Sequence, residues 1–138
     1  MTDPDDSVEL HRRLYDALNS GDLPAFFELL DPDVELREEF LAPDTSVYRG
    51  HDGVRQWLRS SAALSNVRFE PERVLVAGDT TVVQVRATGE GSGSGAPFST
   101  RLVHVARFRN GKAVLLGAYR DLPAALEAAG LPADFGQP

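Results

Sequence analysis

Two residues have a type and a setting suited to chemistry. Glu38 falls in phase with Val34, Leu36 and Phe40 when residues 33–40 are read as a strand, so its carboxylate shares a face with apolar side chains. Desolvation disfavours the ionised form and raises a carboxyl pKa, which suits a general acid or base near neutral pH. If the strand ends before residue 38, Glu38 is instead solvated or paired with an arginine. His104 lies in phase with Leu102, Ala106 and Phe108. A neutral imidazole there can donate an N–H or relay a proton, and a hydrogen-bonded core histidine has the same pattern.

The other chemical signals are weaker. His11 sits beside Arg12 and Arg13 and reads as solvated. His51-Asp52 opens a helix and reads as capping. The three histidines have no metal-ligand spacing, so no metal site is expected. Gly89, Gly91, Gly93 and Gly95 alternate, but no Lys-Ser/Thr pair or helix follows, so a flexible hairpin is expected over GEGSGSGAP (residues 89–97) rather than a phosphate cradle.

The elements that must carry these residues are legible from periodicity. Leu10, Leu14, Ala17 and Leu18 predict a helix over 7–19, capped by Ser7 and stopped at Gly21. Asp22 caps a second short helix with Pro24 in its first turn, and Asp31-Pro32 stops it. After the strand over 33–40 comes a loop, LAPDTSVYRG (41–50). A third helix, HDGVRQWLRSSAAL (51–64), follows with Val54, Trp57, Leu58 and Ala62 on its apolar side. Four β-rich runs then occupy 67–121, with hairpin turns at Gly78-Asp79 and Asn110-Gly111. DLPAALEAAG closes the chain as a helix between Asp121 and Gly130. Residues 1–6 and 131–138 read as loose. Helices segregated from an antiparallel meander define an α+β domain, and a long meander with helices on one face curls away from them to leave space.

The 138 residues form one domain, 1–138, and 42% are hydrophobic. The net charge of −7 argues against nucleic acid and anionic membrane surfaces as partners. There is no cysteine, so no disulfide, thiolate metal site or cysteine nucleophile. The polar start MTDPDDSVEL does not read as a signal peptide and no run could span a bilayer, so a cytoplasmic location is expected.

Three segments carry a resemblance: LYDALNSGD (14–22), FELLDPDVEL (27–36) and YRGHDGVRQWL (48–58). With the ending HVARFRNGKAVLLGAYRDLPAALEAAGL they resemble the nuclear transport factor 2-like superfamily, in particular its SnoaL-like and ketosteroid isomerase-like members. The resemblance covers nearly the whole chain. It implies a cone-shaped half-barrel, a curved antiparallel sheet wrapped around three N-terminal helices, with an apolar pocket and commonly a homodimer. It places Glu38 where the steroid isomerases carry their carboxylate base, and His104 where they carry the protonated aspartate that binds the developing oxyanion. Their oxyanion tyrosine matches Leu14, so Tyr15 is one residue off, rotated by about 100°, and reads as a helix-flank residue as readily as a ligand contact. Phe40, Tyr48, Trp57 and Tyr119 are candidate pocket lining, or else ordinary core. Arg86 and Arg101 sit on strands, but the second inward carboxylate of an epoxide hydrolase-like site is missing.

Two functions fit. One is a cofactor-independent isomerase, dehydratase or cyclase acting on a small apolar molecule through Glu38 and His104. The other is a non-enzymatic small-molecule binding or dimerisation module. Val103 and Val105 lie opposite the His104 face, while Val83, Val85 and Ala87 form a second apolar set. Both sheet faces are therefore partly apolar, and a homodimer through the convex face is expected.

Overall fold

A computed structural model describes residues 3–40, 46–60 and 64–137. The chain runs α1 (Pro4–Ser20), α2 (Leu23–Glu28), β1 (Leu30–Glu38), β2 (Ser46–Arg49), α3 (Gly50–Ser60), β3 (Leu64–Ala77), β4 (Thr80–Gly91), β5 (Pro97–Arg109), β6 (Lys112–Tyr119) and α4 (Leu122–Ala129). Six strands form one curved, unclosed sheet in the order β2-β1-β6-β5-β4-β3. The class is α+β, but the sheet is not wholly antiparallel: β1 pairs with β6 in parallel. Register shifts between Ser65 and Arg68 and between Pro71 and Arg73 bend β3, as bulges do.

Local signals set most boundaries. Gly21 and Gly130 end α1 and α4 with φ of 74° and 73°. Asp22 and Asp121 accept from Ala25 and Ala124 N–H groups at the two helix starts. Asn110 and Gly111 both adopt positive φ, the requirement of a two-residue hairpin.

Several expectations change. The cap of α1 is Asp3, which accepts from Asp5 N–H; Ser7 is buried inside the helix and donates to Gly78 O at 2.9 Å. The N-terminal segment is therefore ordered from Asp3. The tail is not loose either: Leu131 and Phe135 pack under the convex side, and Arg73 donates to Gly136 O at 2.6 Å. Of the loop expected over 41–50, residues 46–49 are strand β2 and 41–45 lie outside the described residues. Of the third helix, residues 61–63, with Ala62, likewise lie outside them. The Gly/Ser connection shortens to residues 92–96, because Gly89 and Glu90 pair with Phe98 and Pro97.

Alternation sorts the sheet into two faces. The concave face carries Leu36, Val83, Val85, Leu102 and Ala106 against Leu10, Leu14, Tyr15 and Ala17 of α1. The convex face carries Val82, Val103, Val105 and Tyr119, and α4 covers them with Ala125, Leu126 and Ala129. The helices therefore lie on both faces, and the apolar convex patch expected to mark a dimer contact is filled by the chain's own last helix. The rest of that face is charged: Glu35 binds Arg37 and Arg49, and Glu72 binds Arg86 and Arg101.

The Tyr119 ring packs over Gly117, where an added Cβ would stand 2.5 Å from the ring. Overpacking of this kind costs about 1–3 kcal/mol. Gly117→Ala is therefore expected to lower the free energy of unfolding by that amount, read in urea as a lower midpoint with an unchanged m-value.

Candidate functional site

The concave floor is built by register. Glu38 on β1 pairs with Ala118 on β6, and Ala118 pairs with His104 on β5. Glu38 and His104 thus stand in one row, two strand spacings or about 10 Å apart at Cα, with only an alanine methyl between them. The small residue leaves the floor open.

Above this floor lies a cavity of two connected chambers. The inner one, about 60 Å³, is lined by His11, Leu14, Tyr15, Phe26, Leu36 and Leu116. The outer one, about 470 Å³, extends past Phe40, Leu58, Val67, Ala87, Phe98 and Leu102 to the exposed Leu23. Leu18, Glu38, Trp57, Phe69, His104 and Ala118 line both and form the waist. The outer volume lies in the range of small-molecule sites.

Polar groups at the waist are few and paired. Tyr15 Oη lies 2.8 Å from His104 Nδ1. Burial raises the Tyr15 pKa, so the phenol keeps its proton, and burial lowers that of His104 to about 4, so the imidazole is neutral. A phenol donating to Nδ1 leaves His104 with its proton on Nε2, an assignment that follows from the network. Phe69 packs edge-on to His104, with ring centroids 5.2 Å apart. Asn19 holds Phe69 in place, donating to its carbonyl at 2.9 Å and accepting from its N–H at 2.8 Å. Because β3 is the edge strand, Asn19 supplies the hydrogen bonds that no further strand provides.

Glu38 is 6% exposed. Desolvation raises its pKa, opposed by the Phe40 N–H, 3.4 Å from Oε2, and by the Trp57 side chain. A carboxyl whose ionised form is desolvated in an apolar wall has the chemistry of a base.

The structure brings Glu38, His104, Tyr15, Phe40 and Trp57 together around one cavity and leaves two candidates out. Tyr119 faces the opposite side, because Ala118 takes the inward position of β6 and the next side chain alternates away; it packs beneath α4. Tyr48 packs on the core below α3 and does not line the cavity. Arg86 and Arg101 share Glu72 on the convex side. His51 does more than open α3: its Nε2 lies 3.1 Å from Leu30 O.

His11, expected to be solvated, is buried. It is 5% exposed, stacks on Tyr15 with centroids 4.7 Å apart, and its Nδ1 lies 2.6 Å from Thr81 Oγ1. The signal was present: His11, Leu14, Tyr15 and Leu18 recur at i, i+3, i+4 and i+7, the spacing of a buried helix stripe. The neighbouring Arg12 and Arg13 masked it. Among the described residues no group of three or more His, Cys, Asp or Glu is arranged to hold a metal ion, and no helix is long and apolar enough to cross a membrane.

A curved, unclosed sheet packed on helices, with a cavity on its concave side, is the fold of the nuclear transport factor 2-like, ketosteroid isomerase-like class. The profile of the SnoaL-like domain matches residues 11–116, and the chain belongs to that family. Among solved structures it is similar to a nuclear transport factor 2-like protein of unknown function from Burkholderia pseudomallei. The identity is 25% over 88% of this chain and 95% of that one, with a TM-score of 0.75. A protein with a ketosteroid isomerase-like fold from Catenulispora acidiphila, in complex with trimethylamine, is 22% identical over 91% and 95% of the two chains, with a TM-score of 0.71. TerC, co-crystallised with polyporic acid, is 23% identical over 88% and 96%, with a TM-score of 0.73. No protein with a curated description matches the chain.

The buried histidines set an acid limit on stability. Burial lowers both pKa values, that of His11 to about 3 and that of His104 to about 4. The unfolded chain, with histidine pKa near 6.5, therefore binds protons that the folded chain refuses. Stability is expected to fall as pH drops below about 6.5, each histidine contributing up to about 1.4 kcal/mol per pH unit until its folded pKa is reached. Glu38 acts in the opposite sense, because its raised pKa costs stability as pH climbs past the unfolded carboxyl value. In urea titrations from pH 4 to 7, His104→Phe should flatten the acid loss and Glu38→Gln should be no less stable than the parent at pH 7. A parent whose stability does not change over that range contradicts this.

Proposed function

We propose that the protein is a cofactor-independent proton-transfer enzyme acting on a small apolar carbonyl compound, of isomerase, dehydratase or cyclase type. The observation that carries this reading is the row Glu38–Ala118–His104 on the floor of one cavity. A substrate lying across Ala118 has a desolvated carboxylate at one end and a neutral Nε2–H at the other. Glu38 removes a proton beside the carbonyl, and the Nε2–H of His104 stabilises the oxygen as charge develops on it. Tyr15 acts behind His104, donating to Nδ1 so that the ring keeps its donor toward the substrate. Phe40 and Trp57 bind the apolar body. The family membership and the co-crystallised small molecule of TerC support a ligand-binding cavity.

The proposal includes self-association through the convex face, using the ion groups around Glu35 and Glu72 together with Val47, which is 44% exposed. A monomeric mass in sedimentation equilibrium at micromolar concentration contradicts that part.

The chemistry is tested without knowing the substrate. Cyclic ketones such as indanone and tetralone are incubated in deuterated buffer and α-proton exchange is followed by NMR. The protein should accelerate exchange of at least one ketone, and Glu38→Gln should reduce the acceleration by about 10²-fold or more, the scale of general base catalysis. Saturable ketone binding with no exchange, or exchange indifferent to Glu38, would favour the non-enzymatic binding module.

A further inference from the structure

The wall of the inner chamber includes His11, which pairs behind it with the buried Thr81 and has no part in the mechanism above. His11 lies on the apolar stripe of α1, where a leucine would continue the pattern of Leu14 and Leu18. Its partner Thr81 is fully buried on the concave side of β4. An apolar pair would fill the same space without the cost of burying two polar side chains, which runs to about 1–3 kcal/mol for each group left unsatisfied. What the pair adds is a polar atom on the wall of the chamber.

The contacts of Thr81 bear on which atom that is. Thr81 Oγ1 stands 2.6 Å from His11 Nδ1 and 3.5 Å from Ala106 O. We place the hydroxyl proton on the shorter contact, to Nδ1, in place of the longer one to Ala106 O. Nδ1 of His11 is then an acceptor, and the ring proton resides on Nε2. His104 is held in the same state by Tyr15. The two imidazoles flank the Tyr15 ring, with centroids 4.7 and 5.7 Å from it. Burial keeps both neutral.

We propose that the inner chamber is an oxygen-binding subsite in which His11 Nε2–H donates to a second oxygen of the ligand whose first oxygen meets His104. This rests on the reading of His104 as the ligand's donor. It narrows the ligand class to a carbonyl or enol compound bearing a further carbonyl or hydroxyl on the part that enters the inner chamber. At about 60 Å³ that chamber admits a short oxygenated substituent and excludes a ring. Thr81 is a positioning residue, acting through the tautomer of His11.

Two measurements test it. In a long-range ¹H–¹⁵N spectrum of histidine-labelled protein, His11 should show a protonated Nε2 and a bare Nδ1, and Thr81→Val should convert it to a mixture of tautomers. An Nδ1–H tautomer in the parent overturns the subsite. In calorimetric titrations with naphthol and the dihydroxynaphthalenes, at least one dihydroxy isomer should bind about 2–10-fold tighter than naphthol, the worth of one hydrogen bond. His11→Phe should abolish that advantage, so that naphthol and the dihydroxy isomer bind equally to the variant. An advantage that survives His11→Phe, or no advantage for any isomer, overturns the subsite while leaving His104 untouched. Naphthol binding that is absent, or indifferent to His104→Phe, overturns the reading of His104 and the subsite's ligand with it, and the tautomer spectrum still decides the state of His11.

Discussion

Burying a phenol and an imidazole in an apolar wall is tolerable only if each satisfies the other. The Tyr15–His104 hydrogen bond does this at 2.8 Å, and it constrains far more than two side chains. Tyr15 can reach β5 only if α1 lies across the concave face with His11, Leu14, Tyr15 and Leu18 turned inward. That orientation brings Asn19 to the edge strand one turn later, where it clamps Phe69 beside the same histidine. Helix, edge strand and cavity wall are thereby fixed together, and the waist between the chambers takes its shape from that contact.

The floor depends on a different constraint, the register of three strands. Because β1 and β6 run in parallel while β5 and β6 are antiparallel, Glu38 and His104 share a row with Ala118 alone between them. A larger residue at 118 would fill the floor and separate the two groups from any common ligand. The fold supplies a concave floor; what this sequence sets on it is the row Glu38, Ala118 and His104. The proposed chemistry belongs to that row and not to the fold.

Much of this was legible in the sequence, and the failures have physical causes. Helix ends marked by Gly21, Asp22, Asp121 and Gly130 were readable because caps and left-handed glycines are local. The inward phase of Glu38 and His104 was readable because strands alternate. Tyr119 was misassigned because aromatic character says nothing about which face a strand turns to the cavity; only pairing with β5 shows that Ala118 takes the inward place. The burial of His11 follows helix phase, which its charged neighbours Arg12 and Arg13 obscure in the sequence. The start of α1 at Asp3 rather than Ser7 reflects two competent caps four residues apart, with Ser7 taken by Gly78 across the fold. The ordered tail and the covering of the convex valines by α4 depend on long-range packing that no local pattern encodes.

The central claim is that Glu38 is a desolvated carboxyl on the wall of the cavity, held ready to accept a proton. A ¹³C-detected NMR titration of its carboxyl tests this most directly. The account predicts a midpoint clearly above the ordinary glutamate value of about 4.3, falling back toward that value when Phe40 is replaced by a smaller polar residue that admits water and keeps its backbone N–H. A midpoint at or below the ordinary value in the parent would contradict it, because a carboxylate stabilised in its ionised form is a structural anion and not a base.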